Sequence, residues 1–328
     1  MIKIPCCYFP TNLLIVDDDQ DLLKSIRLFF EEDYKTTCVS DLKKASAIIS
    51  ENNDWINKLL EVSRFYDPLE TARFSVEMDL SLLHKQVYNP KRFNHVAILI
   101  VDYDMPAMNG LDFIRSLGDH QLKIIMLTGK ATPETVIKAF NNKEIHRYVS
   151  KGEPDYLQTT AKYIKELHRE FFMDFSKFLL DSLKTETKIF QDEDFKNIFE
   201  KTVDENHIVE FYLLDESGSF LMLDAKVENQ IWLIIKSEEE MRVLYELATG
   251  DKDVPTHVIK KLKNRETLTH FKPGESNLEA KYWNLVDARP LNEKKEFYYS
   301  FLKNNEDFEV DSSKIKSYAD FLNENAKS

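Results

Sequence analysis

The chain has 328 residues, 57 acids against 44 Lys and Arg, and a net charge of −13. Its 43% hydrophobic and 31% charged content is that of a soluble globular protein, long enough for about two domains that each bury a core. No apolar run approaches the roughly 20 residues of a membrane span, and residues 1–11 are too short and too soon acidic for a signal peptide.

Charge and cysteine usage narrow the class further. Residues 191–328 hold 29 acids against 19 Lys and Arg, which argues against DNA binding driven by bulk charge. Cys6, Cys7 and Cys38 have no metal or redox spacing and read as reduced thiols of a cytoplasmic protein.

In chain order, an apolar run at 13–16 predicts a strand that ends in Asp17, Asp18 and Asp19. Leu22, Ile26, Phe29 and Phe30 then recur at helical spacing over 21–32. A second strand is expected over 34–39 and a second helix over 42–50. Residues 52–95 form an insert where a loop of roughly 2–6 residues would serve. Trp55, Leu59 and Phe65 before Asp67-Pro68, and Phe74, Met78 and Leu82 after it, predict a helical hairpin or an extended second helix with a return.

The run 96–101 is apolar throughout and stops at Asp102, the pattern of a strand buried on both faces of a parallel sheet. Pro106 and Asn109-Gly110 turn the chain into a helix over 111–117, followed by a strand over 123–127. Pro133 and Glu134 open a helix over 133–141, and a mixed strand over 145–149 precedes Lys151.

From Pro154 to Gly218 there is no further glycine or proline, so one helix is expected over 155–183, about 45 Å long at ~1.5 Å per residue. Leu157, Ile164, Phe171 and Phe178 repeat along it every seven residues, flanked by Ala161, Leu167 and Phe175. That seam suits another helix, from the insert or from a second copy. After a helix over 192–203, three strands (208–214, 219–223, 230–235) read as a β-meander. Helices over 239–248 and from 258, strands over 282–286 and 296–302, and an amphipathic tail over 311–328 complete an α+β module. Its sheet is expected to be antiparallel, with three to five strands. The domains expected are 1–153 with the insert, a connector over 154–205, and an output module over 206–328. No helix-turn-helix, Gly-rich phosphate loop or zinc spacing occurs in that module. Lys260, Lys261, Lys263 and Arg265 read as one solvated helix face.

Chemistry concentrates where the apolar runs end. In a parallel sheet, Asp17 and Asp18, Asp102, Thr128 and Lys151 converge on the crevice beyond the strand carboxyl ends. Such a crevice holds carboxylates for a hard divalent cation, a carboxylate to attack, and a hydroxyl and an ammonium to hold an oxyanion. Individually these acids could cap helices or close turns, since Asp is favoured at N-caps.

Their order, with Asp102-x-x-Met105-Pro106-x-x-x-Gly110, resembles the receiver domain of two-component response regulators. The resemblance implies a doubly wound, five-stranded parallel α/β fold. It implies a phosphoprotein, with Asp102 accepting a phosphoryl group in a phosphorelay from a sensor histidine kinase or phosphotransfer protein. Asp17 and Asp18 would bind magnesium with Asp102, and Asp104 would offer its backbone carbonyl. Thr128 and Lys151 would contact the phosphoryl oxygens, and Tyr148 matches the aromatic switch position. Gly152 departs from the family's usual proline. Asp102-x-Asp104 also resembles the nucleophile and acid pair of haloacid-dehalogenase-type phosphatases, whose metal-binding acids come later in the chain. The stretch around Tyr88-Asn89-Pro90-Lys91-Arg92-Phe93 and the stretch 211–225 resemble the Lqs-type quorum-sensing response regulators. That likeness implies control of a density-dependent programme, a non-enzymatic phosphoacceptor and an output without a standard DNA-binding motif. A phosphorylation-dependent homodimer, no membrane association and no sequence-specific DNA binding are expected.

Overall fold

The computed structural model describes residues 4–52, 81–118, 120–182, 188–270, 284–304 and 311–326. Its first six strands are β1 (Cys7–Tyr8), β2 (Asn12–Val16), β3 (Thr36–Val39), β4 (Val96–Val101), β5 (Lys123–Thr128) and β6 (Arg147–Ser150). The last five form a sheet of order β3-β2-β4-β5-β6 in which every pairing is parallel. Every residue of β2, β4 and β5 is buried. Continuous apolar runs form such strands because helices cover both faces of a parallel sheet.

Local signals set the helices. Asp19 caps α1 (Gln20–Phe30), its carboxylate accepting from the N–H groups of Asp21 and Leu22. Helix α2 (Leu42–Asn52) follows β3. Residues 53–80, which hold most of the predicted hairpin, lie outside the described residues; beyond them comes α3 (Ser81–Lys85). Asn109 caps α4 (Gly110–Ser116), and Thr132 with Pro133 starts α5 (Pro133–Asn141).

Helix α6 (Tyr156–Ser182) is the predicted long helix, and it packs against β4, β5 and β6. Ile164, Leu167, Phe171 and Phe175 are buried, and Phe171 lies 5.4 Å from the His95 ring. Ile164 and Phe171 of the seven-residue seam are thus buried on a helix that packs against its own sheet, while Leu157 is only partly buried. His168 is pinned on both ring nitrogens, by Tyr8 at 2.9 Å and Thr11 at 3.0 Å.

The second sheet is built from β7 (Ile208–Leu213), β8 (Phe220–Asp224), β9 (Gln230–Ser237), β12 (Arg289–Pro290) and β13 (Phe297–Lys303), in the order β1-β7-β8-β9-β13-β12. Six strands exceed the three to five expected, because the N-terminal pair Cys7–Tyr8 joins at one edge and Arg289–Pro290 at the other. Cys6 supplies the carbonyl that accepts from Leu213 N at 2.7 Å. The ladder from β7 to β12 is antiparallel. Strands β10 (Thr267–His270) and β11 (Asn284–Asp287) make a separate antiparallel ribbon. The helices here are α7 (Glu193–Glu205), α8 (Glu238–Gly250), with a capping box from Ser237 and Glu240, and α9 (Thr256–Lys263).

The chain divides into two compact units. One comprises Tyr8–Met78, Asn89–Leu183 and Lys316–Ser328, the other Met1–Cys7, Asp79–Tyr88 and Lys184–Ile315. These boundaries differ from those expected in several places, two of which packing explains. Helix α6 belongs with the parallel sheet because its apolar face is spent there. The C-terminal helix α10 (Tyr318–Ala326) also belongs with that sheet, not with the α+β module, because its aromatic side chains pack on Phe93.

Candidate functional site

Register brings the chemistry together. Val16 pairs with Val101, which sets Asp17 beside Asp102 at the carboxyl ends of adjacent strands. Thr128 pairs with Ser150, which carries Lys151 to the same edge. The backbone fixes both acids: Asp17 N donates to Val39 O at 3.2 Å, and Asp102 N donates to Val16 O at 2.9 Å.

Asp17 and Asp102 are 2% and 5% exposed, Asp18 is exposed, and one carboxylate oxygen from each lies within 4.8 Å of the others. Lys151 Nζ sits 2.7 Å from Asp17 Oδ2 and 3.3 Å from Asp102 Oδ2. Asp102 Oδ1 is buried and has no hydrogen-bond partner among the described residues. An oxygen left so is costly unless a ligand satisfies it. Three hard carboxylates, one of them with an unsatisfied oxygen, fit a divalent cation of the magnesium type. Burial pushes the Asp17 carboxyl above its ordinary range, and Lys151 only partly opposes this.

Thr128 is fully buried, and its hydroxyl accepts from Lys130 N at 3.3 Å. Of the three consecutive acids only Asp19 is used as the helix cap, leaving Asp17 and Asp18 to the crevice. Asp104 uses its side chain: Lys130 Nζ lies 2.5 Å from its Oδ2, an exposed pair. Lys130 went unnoticed in the sequence, where the only signal was a cation two residues after Thr128. Gly110 has a steric reason. A Cβ there would stand 2.1 Å from the Asp102 carbonyl oxygen. Gly152, at the usual proline position, donates its N–H to Ser150 Oγ at 3.3 Å, a bond proline could not make. Tyr148 is partly buried against the core.

A family model for the response regulator receiver domain matches residues 76–162, which include Asp102, Thr128 and Lys151. Asp17 and Asp18 lie outside that stretch, and the fold brings them to it. The solved structure of the Legionella pneumophila response regulator LqsR is 31% identical, with a TM-score of 0.76 over 98% of this chain and 96% of that one. The chain is a response regulator.

Two further solved structures are similar to half of this response regulator. A CheY-like receiver domain protein from Methanospirillum hungatei JF-1 is 19% identical over 50% of this chain and 98% of its own, with a TM-score of 0.33. The receiver domain of Francisella response regulator 1452 is 16% identical over 49% and 98%, with a TM-score of 0.32. No curated protein sequence matches this response regulator. Among its described residues, no helix is long and apolar enough to cross a membrane.

Proposed function

We propose that this response regulator accepts a phosphoryl group on Asp102 from a histidine kinase or phosphotransfer protein in a two-component phosphorelay. The observation that carries the reading is Asp102 Oδ1, a buried carboxylate oxygen without a hydrogen bond among the described residues, beside a cation-ready cluster and the Lys151 ammonium. The step balances simply. A carboxylate oxygen of Asp102 attacks the phosphorus of a phosphohistidine, the P–O bond forms as the P–N bond breaks, and the donor imidazole leaves with a proton.

Such a transfer needs positioning and charge neutralisation more than covalent help from the protein. Lys151 is placed to neutralise charge on the Asp102 side, and the Thr128 hydroxyl to contact an incoming phosphoryl oxygen. Asp17, Asp18 and Asp102 would hold magnesium, which when bound supplies the positive charge that offsets the phosphoryl oxygens, and Asp104 would add its carbonyl. Filling the crevice draws on Thr128, and Tyr148 is placed to follow.

The Lqs-type resemblance supports control of a density-dependent programme in the cytoplasm, with the α+β unit as a non-enzymatic output. A small phosphodonor with magnesium should give one labile acyl phosphate on Asp102, absent from Asp102→Asn, and Asp18→Ala should remove the dependence on magnesium. Phosphorylation of Asp102→Asn at the parent rate would sink the assignment. Sustained turnover of a phosphate ester through Asp102 would instead favour an enzyme.

A further inference from the structure

The segment Asn89-Pro90-Lys91-Arg92-Phe93 precedes the acceptor strand and takes no part in the acidic crevice. It builds a receptacle for the C-terminus. Arg92 is only 1% exposed, with its guanidinium carbon 4.0 Å from the Phe93 ring centroid. One terminal nitrogen donates to Asn89 O at 3.1 Å and the other to Lys316 O at 2.9 Å. The rings of Tyr318 and Phe321 each lie 5.1 Å from Phe93.

Beyond the aromatic contact, the segment bonds to the start of β3. The Tyr318 hydroxyl donates to Asp33 O at 3.1 Å and accepts from Lys35 N at 3.3 Å. Lys35 Nζ donates to Asn325 Oδ1 at 2.5 Å. Strand β3 is the edge of its sheet and only four residues long, with its ladder on one side. Its position therefore depends on β2, on the helices α1 and α2 that pack against it, and on whatever holds its two ends. One end is held by Tyr318. At the other, the Val39 carbonyl accepts from Asp17 N at 3.2 Å.

We propose that the C-terminal segment is an intramolecular ligand of the receiver, and that Tyr318 is a positioning residue which sets β3 and through it Asp17 beside Asp102. This rests on the phosphoacceptor reading of Asp102. Coupling of this kind is reciprocal, so loading the crevice tightens the docked segment and releasing the segment loosens the crevice. A free peptide carrying the Tyr-x-x-Phe face competes for the same receptacle.

The test uses the full chain. Hydrogen exchange at the Asp17 and Lys35 amides, and phosphorylation by acetyl phosphate with magnesium, are measured in the parent, in Tyr318→Phe and in Phe321→Ser. Tyr318→Phe should speed exchange at Asp17 by about tenfold, as expected for loss of two ordinary hydrogen bonds, and slow phosphorylation several-fold. A peptide of residues 314–328 added to Phe321→Ser should restore both readouts. Exchange at Asp17 that stays at the parent rate while Lys35 is deprotected would overturn the coupling. So would failure of the peptide to restore Phe321→Ser. A parent that takes no phosphoryl group would instead remove the acceptor reading, and the exchange data would still decide the coupling.

Discussion

Gly110 shows how tightly one atom can be specified around Asp102. Because a Cβ there would meet the Asp102 carbonyl oxygen at 2.1 Å, Gly110→Ala must move the backbone of Asp102 itself. Overpacking of this kind costs about 1–3 kcal/mol, so the variant should melt lower and take up phosphoryl groups poorly. A variant that melts and phosphorylates like the parent would show that the loop yields. Asp17 gives a second expectation, with the opposite sign for stability. Its pKa is raised by burial, so the folded chain holds the proton more tightly than the unfolded one. Stability from this group is therefore present at acid pH and lost as pH rises from the ordinary 3.8 through the raised value. Asp17→Asn should be more stable than the parent at neutral pH and yet fail to bind magnesium, as thermal melting with and without the metal will show. The acid, hydroxyl and ammonium were legible because strand ends confine chemistry to few positions. Lys130 was not, since an exposed ion pair leaves no mark on hydrophobic pattern.

Helix α6 sets the limit of periodicity as a guide to elements. A seven-residue apolar repeat is the same whether the facing surface is a helix or a sheet, and here β4, β5 and β6 take it. Phe171→Ala should cost about 3–5 kcal/mol as a core truncation, without changing the mass of the protein in sedimentation. His168, on the same helix, makes the packing sensitive to pH. Its pKa is lowered by burial to about 3 from 6.5, so the unfolded chain takes up the proton first as pH falls. Stability is full above about pH 6.5 and should drop by about 2 kcal/mol by about pH 5, at about 1.4 kcal/mol per unit. Denaturant melts of the parent and His168→Gln should show a smaller loss in the variant. Short elements were the ones hidden in the sequence. Cys7–Tyr8 lies between Pro5 and Pro10, and Thr267–His270 alternates too briefly to signal a strand.

At the scale of the whole molecule, charge decides what the output surface can do. Lys260, Lys261 and Lys263 are exposed, but Arg265 is bound to Glu238 at 2.6 Å, and the chain carries −13 overall. Duplex DNA binding should therefore be weak and fall steeply with salt, with no footprint on a defined promoter at physiological ionic strength. A footprint abolished by neutralising these four residues would reverse that view.

The pairing of the N-terminal strand with β7 has a consequence for how the molecule is made. On the ribosome, residues 4–7 emerge before the parallel sheet, yet the strand that receives them is encoded only after that sheet and α6. The nascent chain must complete the parallel sheet and α6 while residues 4–7 stay unpaired, and α10 joins that sheet only at the end. An output fragment beginning near residue 190 would lack those residues and leave β7 as a bare edge, open to self-association. Co-expression of such a fragment with a peptide of the first residues should bring it into solution, and a synonymous slowing of translation beyond β7 should leave the yield unchanged.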